Sequence, residues 1–237
     1  WLRSSRLRYT RAPPRSELMR RRLNIKTICT HKGLALGLFD EDHCQPRDLV
    51  KVSKDFPDMS FLVYHSGFKA LEAALPAAAD GFKKDPRVPW VSDLCETRKK
   101  NPHMKNVYME LGSTFGMMAV TQPALCCHVL GMIIDAFGAD HVLWGTDSVW
   151  WGSPQWQIEA LRRLEMPGSL MKQFGYKPLT TDVKRQIFGL NAARVYGLDP
   201  KARRNPIPGD YVDQLKKLYQ QAANPAPSNT QYGWVAG

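Results

Sequence analysis

Three short apolar runs in this chain each lead into one ionisable residue: IKTICT into His31, FLVY into His65, and VLWGT into Asp147. An imidazole neutral near working pH can ligate a metal or move a proton, and a carboxylate can do either. Apolar runs of this length read as short buried strands. In parallel α/β barrels the chemistry sits where the carboxyl ends of separate strands deliver side chains to one point. Two imidazoles and a carboxylate meeting there suit a metal hydrolase. No His-x-His pair occurs anywhere in the sequence.

Each of these residues also has a plainer reading. His31, followed by Lys32–Gly33, could cap its strand through a backbone hydrogen bond, and His65, in YHSGF, could be a core histidine paired with a carboxylate. Asp147 could sit at the start of the helix that follows it; otherwise its burial needs a cation or hydrogen bonds. The common strand-end placement favours the site reading for all three. Glu110 ends the strand between them and could orient a ligand or touch substrate, with a salt bridge inside the barrel as the alternative. Trp150 and Trp151 fall in the loop after Asp147 and could wall a substrate pocket. His43, His103, His128 and His141 have weaker claims: His141 precedes its strand, and His128 lies on an apolar helix.

The elements that must position these residues alternate. Strands are expected at 25–30, 60–64, 106–111 and 141–147, spaced as successive βα units would be. Helices are expected at 46–56, 88–100, 122–137, 154–164 and 180–198, with a last short helix at 210–221. Pro123 suits the first turn of its helix, and Thr180, Thr181 and Asp182 are cap candidates. Residues 69–90 form a longer Ala- and Pro-rich connection with a short helix before Pro86. The fold class is therefore α/β with four parallel strands and right-handed crossovers, half the number an eight-stranded barrel needs.

Composition narrows the function classes. The net charge of +11 concentrates in residues 1–26, where eight arginines and Lys26 face one acid, Glu17; the rest carries 24 bases against 21 acids. A body this mildly basic, with no basic patch interleaved with aromatics, does not read as a nucleic-acid binder. No run of about 18 apolar residues suggests a membrane span. Five cysteines, odd in number and without a CxxC pair, read as buried free thiols in a reducing compartment. A cytoplasmic location is the expectation. The Arg-rich start is open to three readings: a transit-like leader, a basic arm, or an arbitrary beginning.

From about Ile25 to Asp199 the chain resembles the amidohydrolase superfamily, in its amidohydrolase-related branch of hydrolases and non-oxidative decarboxylases. The likeness rests on the order and spacing of ICTHKGL, FPDMSFLVYHSGF, NVYMELG, HVLWGTDS and FGLNAARVYGL. The resemblance implies a (β/α)8 TIM barrel with one divalent metal, zinc above all and manganese as the alternative. It implies that His31 is a metal ligand, that His65 contacts the activated water or substrate, and that Asp147 binds metal or accepts the water's proton. The family's first strand supplies a His-x-His pair that this sequence lacks, so the chain is expected to be the last four βα units of a partial barrel.

The expected organisation is an Arg-rich segment at 1–15, the barrel-like unit at 16–200, and a helix with an extended tail at 201–237. The expected function is metal-dependent hydrolysis of a C–N or C–O bond at a carbonyl of a small-molecule substrate. A non-oxidative decarboxylase, or an inactive fragment acting as an interaction protein through a homodimer, is the alternative. With few ligands of its own, the lone chain is expected to bind metal poorly and to show little activity.

Overall fold

The computed structural model describes residues 22–35, 40–69, 82, 85–202 and 209–222. The Arg-rich segment 1–15, most of the 69–90 connection and the tail after residue 222 lie outside the described residues. The element order is β1 (Thr27–His31), α1 (Glu41–Cys44), α2 (Leu49–Asp55), β2 (Ser60–Tyr64), α3 (Val91–Lys100), β3 (Val107–Glu110), α4 (Gly112–Met118), α5 (Pro123–Phe137) and β4 (Val142–Leu143). Then follow α6 (Ser148–Trp151), α7 (Gln155–Arg163), α8 (Gly168–Phe174), α9 (Thr181–Arg185), a π-turn (Gln186–Leu190), α10 (Asn191–Tyr196) and α11 (Tyr211–Gln221).

Among the described residues the strands form one parallel sheet in the order β1-β2-β3-β4, with Cys29 opposite Leu62, Leu62 opposite Tyr108, and Glu110 opposite Leu143. The fold is thus α/β, with the four consecutive parallel strands expected from the sequence. Side chains alternate across the sheet. Phe61, Val63, Val107, Met109 and Val142 point to the helix side and join the core, four of them with no exposed surface. Each such side chain contributes about 1.5–3 kcal/mol by leaving water. The opposite face carries Cys29, His31, Tyr64, Tyr108 and Glu110, all at least partly exposed, beside the buried Leu62 and Leu143.

The helices explain the compact core. Pro123 at the first turn starts α5, and Gly138 at φ +94° ends it after Phe137. Its side chains Cys126, Leu130 and Ile133 are buried, and it packs against α3. Thr180 Oγ1 accepts the Val183 N–H at 3.3 Å, the cap expected from the sequence.

The structure corrects the reading at several points. The fourth strand is only Val142–Leu143, because the chain leaves the sheet at Trp144 on its way to the left-handed turn at Asp147. The helix expected at 180–198 is interrupted by the π-turn, α1, α4 and α8 were not anticipated, and Trp150 and Trp151, expected in a loop, lie in α6, which starts directly after Asp147. All five cysteines are free, but Cys29 is exposed, with its Sγ 3.8 Å from Tyr196 Oη at the end of α10. The outer edge of β4 is partly covered: Trp144 N–H donates to Ile187 O at 3.1 Å and Asn191 Nδ2 to Val142 O at 2.8 Å. No described helix is long and apolar enough to cross a membrane.

Candidate active site

His31 is the last residue of β1, His65 directly follows β2, Glu110 is the last residue of β3, and Asp147 lies four residues beyond β4. Parallel strands put all four at one end of the sheet. The His31 and His65 rings meet edge-on with centroids 4.7 Å apart. His65 Nδ1 lies 3.9 Å from Asp147 Oδ2. The three residues singled out by the sequence therefore share one centre.

Local backbone conformation aims them. His65 and Ser66 hold φ of 60° and 52°, and Asp147 holds 50°. Left-handed backbone at non-glycine residues costs roughly 1–2 kcal/mol each, so neighbouring groups must hold it. Thr114 Oγ1 donates to His65 O at 2.6 Å, Ser66 Oγ donates to Glu110 O at 2.9 Å, and His65 N–H donates to Glu110 Oε2 at 3.3 Å. The glycine after His31 has a similar cause. Gly33 stands at φ +117°, and a Cβ there would fall 2.7 Å from Phe68 O, in the loop that follows His65.

Burial dominates the electrostatics. It pushes His65 down to about 4, helped by neighbouring His31 and opposed by Asp147. His31 is also lowered by burial, against the pull of Asp147. Both imidazoles are therefore neutral near pH 7, with a ring nitrogen lone pair in each. Glu110 moves the other way, up to about 7, because burial outweighs the His65 and Gly112 N–H groups that favour its ionised form.

These side chains line a cleft of about 560 Å³ together with Leu34, Tyr64, Ser113, Met117, Trp150 and Trp151. Trp150 is 78% exposed at the rim. Trp151 turns inward, its Nε1 donating to Ser113 Oγ at 2.8 Å and its ring covering Gly116. A larger cleft of about 790 Å³ among Arg162, Glu165, Lys184 and Arg185 contains none of the strand-end residues. The remaining histidines have structural partners: His128 bonds Pro86 O and Tyr176 Oη, His103 bonds Val50 O, and His141 bonds Lys105 O. His43 pairs with Asp40.

The sequence reading missed Ser113. Its Oγ donates to Asp147 Oδ2, and its N–H donates to His65 Nδ1 at 3.2 Å. A signal was present: Gly112 comes two residues after a strand-end acid, just as Gly33 and Gly67 come two residues after the strand-end histidines.

The donor types here suit a divalent metal, but the number is small. Among the described residues no group of three or more His, Cys, Asp or Glu side chains is arranged to hold one. A catalytic zinc takes about three protein ligands. Asp147 and His31 offer two, while His65 Nδ1 is already taken by the Ser113 N–H.

Two solved structures show similarity at the level of a partial superposition. One is an amidohydrolase from Burkholderia multivorans with bound zinc, at 16% identity and a TM-score of 0.41, covering 65% of this chain and 51% of that one. The other is 5-carboxyvanillate decarboxylase LigW from Sphingomonas paucimobilis, at 15% identity and a TM-score of 0.41, covering 73% and 50%. This chain thus spans about half the length of either. No curated protein sequence matches. A model of the Amidohydrolase family matches residues 27–198, from β1 through α10. The chain belongs to the amidohydrolase family.

Proposed function

We propose that this strand-end cleft serves metal-dependent hydrolysis of a small-molecule C–N or C–O bond at a carbonyl. The observation that carries it is the meeting of His31, His65 and Asp147, from three different βα units, around one cleft. A divalent metal, zinc with manganese as the alternative, would be held by His31 and Asp147 and would supply Lewis acidity and a more acidic water. Asp147 takes the proton of the attacking water and returns it to the leaving group. His65 stabilises the oxyanion that develops on the carbonyl. Glu110 steadies His65 through its backbone N–H, and Trp150 forms one wall for the substrate. The partial ligand set makes metal binding by this chain weak.

The test is a zinc titration of the metal-free full chain, read through histidine NMR and through turnover of a panel of lactones, esters and amides. Zinc should shift the His31 imidazole resonances and raise turnover. Asp147→Ala should weaken the shift, and His31→Ala should cut turnover by at least about 100-fold, the upper end for disturbing the groups that merely support a metal's ligands. Resonances and turnover that ignore zinc would overturn the reading. Zinc-dependent release of CO₂ from a carboxylate substrate, without hydrolysis, would assign the cleft to decarboxylation.

A further inference from the structure

We propose that Ser113 is the positioning residue of this cleft: its backbone fixes the proton of His65 on Nε2, and its side chain locks the Asp147 carboxylate in place. This deepens the hydrolase reading and rests on it for its functional meaning. The geometry stands on its own.

The tautomer follows from a competition at His65 Nδ1. Two groups face that nitrogen. The Ser113 N–H donates to it at 3.2 Å, whereas Asp147 Oδ2 is 3.9 Å away, beyond hydrogen-bond reach. A backbone N–H can only donate, so the nitrogen it meets must carry a lone pair. The neutral ring therefore bears its proton on Nε2. Had the carboxylate been the partner, the proton would sit on Nδ1 and Nε2 would be an acceptor. The two tautomers offer opposite faces to a substrate carbonyl. Only the Nε2–H form can donate to a developing oxyanion.

Ser113 reaches this place because of Gly112. That residue has φ +41°, and a Cβ on it would lie 2.8 Å from His65 Nδ1 and 2.9 Å from Glu110 Oε2. Glycine lets the turn after β3 pass close beneath the imidazole, so that the next N–H points at Nδ1.

The hydroxyl does a second task. It donates to Asp147 Oδ2 and accepts from Trp151 Nε1 at 2.8 Å, and the residue is only 4% exposed. A hydroxyl proton spent on a carboxylate, with a lone pair spent on an indole, is not a poised nucleophile. The indole fixes the hydroxyl rotor, and the rotor fixes the carboxylate. Asp147 is left with Oδ1 for chemistry.

The experiment uses the metal-free full chain at neutral pH with ¹⁵N-labelled histidine and tryptophan. Long-range ¹H–¹⁵N correlations should show His65 with a protonated Nε2 and a bare Nδ1, the signals being assigned by their loss in His65→Asn. Ser113→Ala keeps the backbone N–H, so the tautomer should persist while the Trp151 indole N–H resonance moves. General loosening of the site would disturb both signals. A protonated Nδ1 in the native chain, or an unmoved Trp151 resonance in Ser113→Ala, would overturn the proposal. The native-chain measurement decides even where the variant fails to fold. Neither readout needs substrate or metal, so a chain that hydrolyses nothing but shows the Nε2–H tautomer would refute the hydrolase reading and leave this one standing.

Discussion

Glu110 Oε1 fills the space that a side chain on Gly145 would need. A Cβ built on Gly145 would lie 1.3 Å from that oxygen. The end of β3 and the turn after β4 are thus fitted to each other through one absent side chain. We expect Gly145→Ala to displace the Glu110 carboxylate and lower stability by about 2–3 kcal/mol, the range for overpacking a tight site. Thermal unfolding measures it. Adding Glu110→Ala should recover much of the loss, because it removes the colliding atom; a purely additive double variant would locate the collision elsewhere.

Glu110 also makes stability depend on pH. Burial raises its pKa from 4.5 to about 7. An acid raised on folding contributes stability that is fully present below about pH 4.5 and lost as pH climbs through 7. His65 runs the opposite way. Lowered from 6.5 to about 4 by burial and His31, it contributes stability present above about pH 6.5 and lost as pH falls through 4. The two windows overlap and offset each other in the native chain. Glu110→Gln removes the first alone. We expect the stability of native metal-free protein, relative to Glu110→Gln, to fall by on the order of 3 kcal/mol between pH 4.5 and 7. Urea unfolding across that range checks it, and a difference that stays flat would mean that Glu110 ionises freely in the fold.

The neighbouring tryptophans divide into two roles. Trp150 is mostly exposed at the rim, whereas Trp151 packs against the core and bonds Ser113. Trp150→Ala should leave the unfolding midpoint within the ordinary surface range of about 0.5 kcal/mol while raising KM. Trp151→Ala should cost about 3 kcal/mol, as truncating a packed aromatic does. Equal effects from the two substitutions would erase the distinction.

These contrasts show which features the sequence could reveal. His31 and His65 were legible because a buried strand is apolar throughout and the first polar residue marks its end. Asp147 was legible as a site residue, although its strand was read too long. The run VLWGT is apolar beyond Leu143, yet Trp144 packs against Phe115 and Phe188 instead of continuing the sheet. Helix α4 gave no signal because all seven of its residues are buried, which leaves no polar face to set a period. Ser113 lies in that helix, and so it was lost with it. The π-turn at 186–190 was invisible for another reason: one inserted step shifts the side-chain phase without changing composition. Neither the Trp150 and Trp151 contrast nor the Gly145 fit could be read from one dimension, since both depend on contacts between distant segments.

The short fourth strand depends on Asn191. This amide, 2% exposed, donates from Nδ2 to Ala139 O and Val142 O, both at 2.8 Å. Nearby, Trp144 N–H donates to Ile187 O. A two-residue strand makes few ladder bonds of its own, so the segment that carries Asp147 is held largely from this side. Asn191→Ala removes the donor from Val142 O, at roughly 1–3 kcal/mol for an unsatisfied group, while Ala139 O keeps the Val142 N–H. We expect a loss of about 1–3 kcal/mol and faster hydrogen exchange at the Trp144 amide. Asn191→Asp separates bonding from packing, because the carboxylate has nearly the same shape but nothing to donate. It should cost at least as much as alanine, since it places a charge against two carbonyl oxygens. A stable Asn191→Asp variant with native Trp144 exchange would mean that side-chain volume, and not the paired hydrogen bonds, keeps β4 against the last helices.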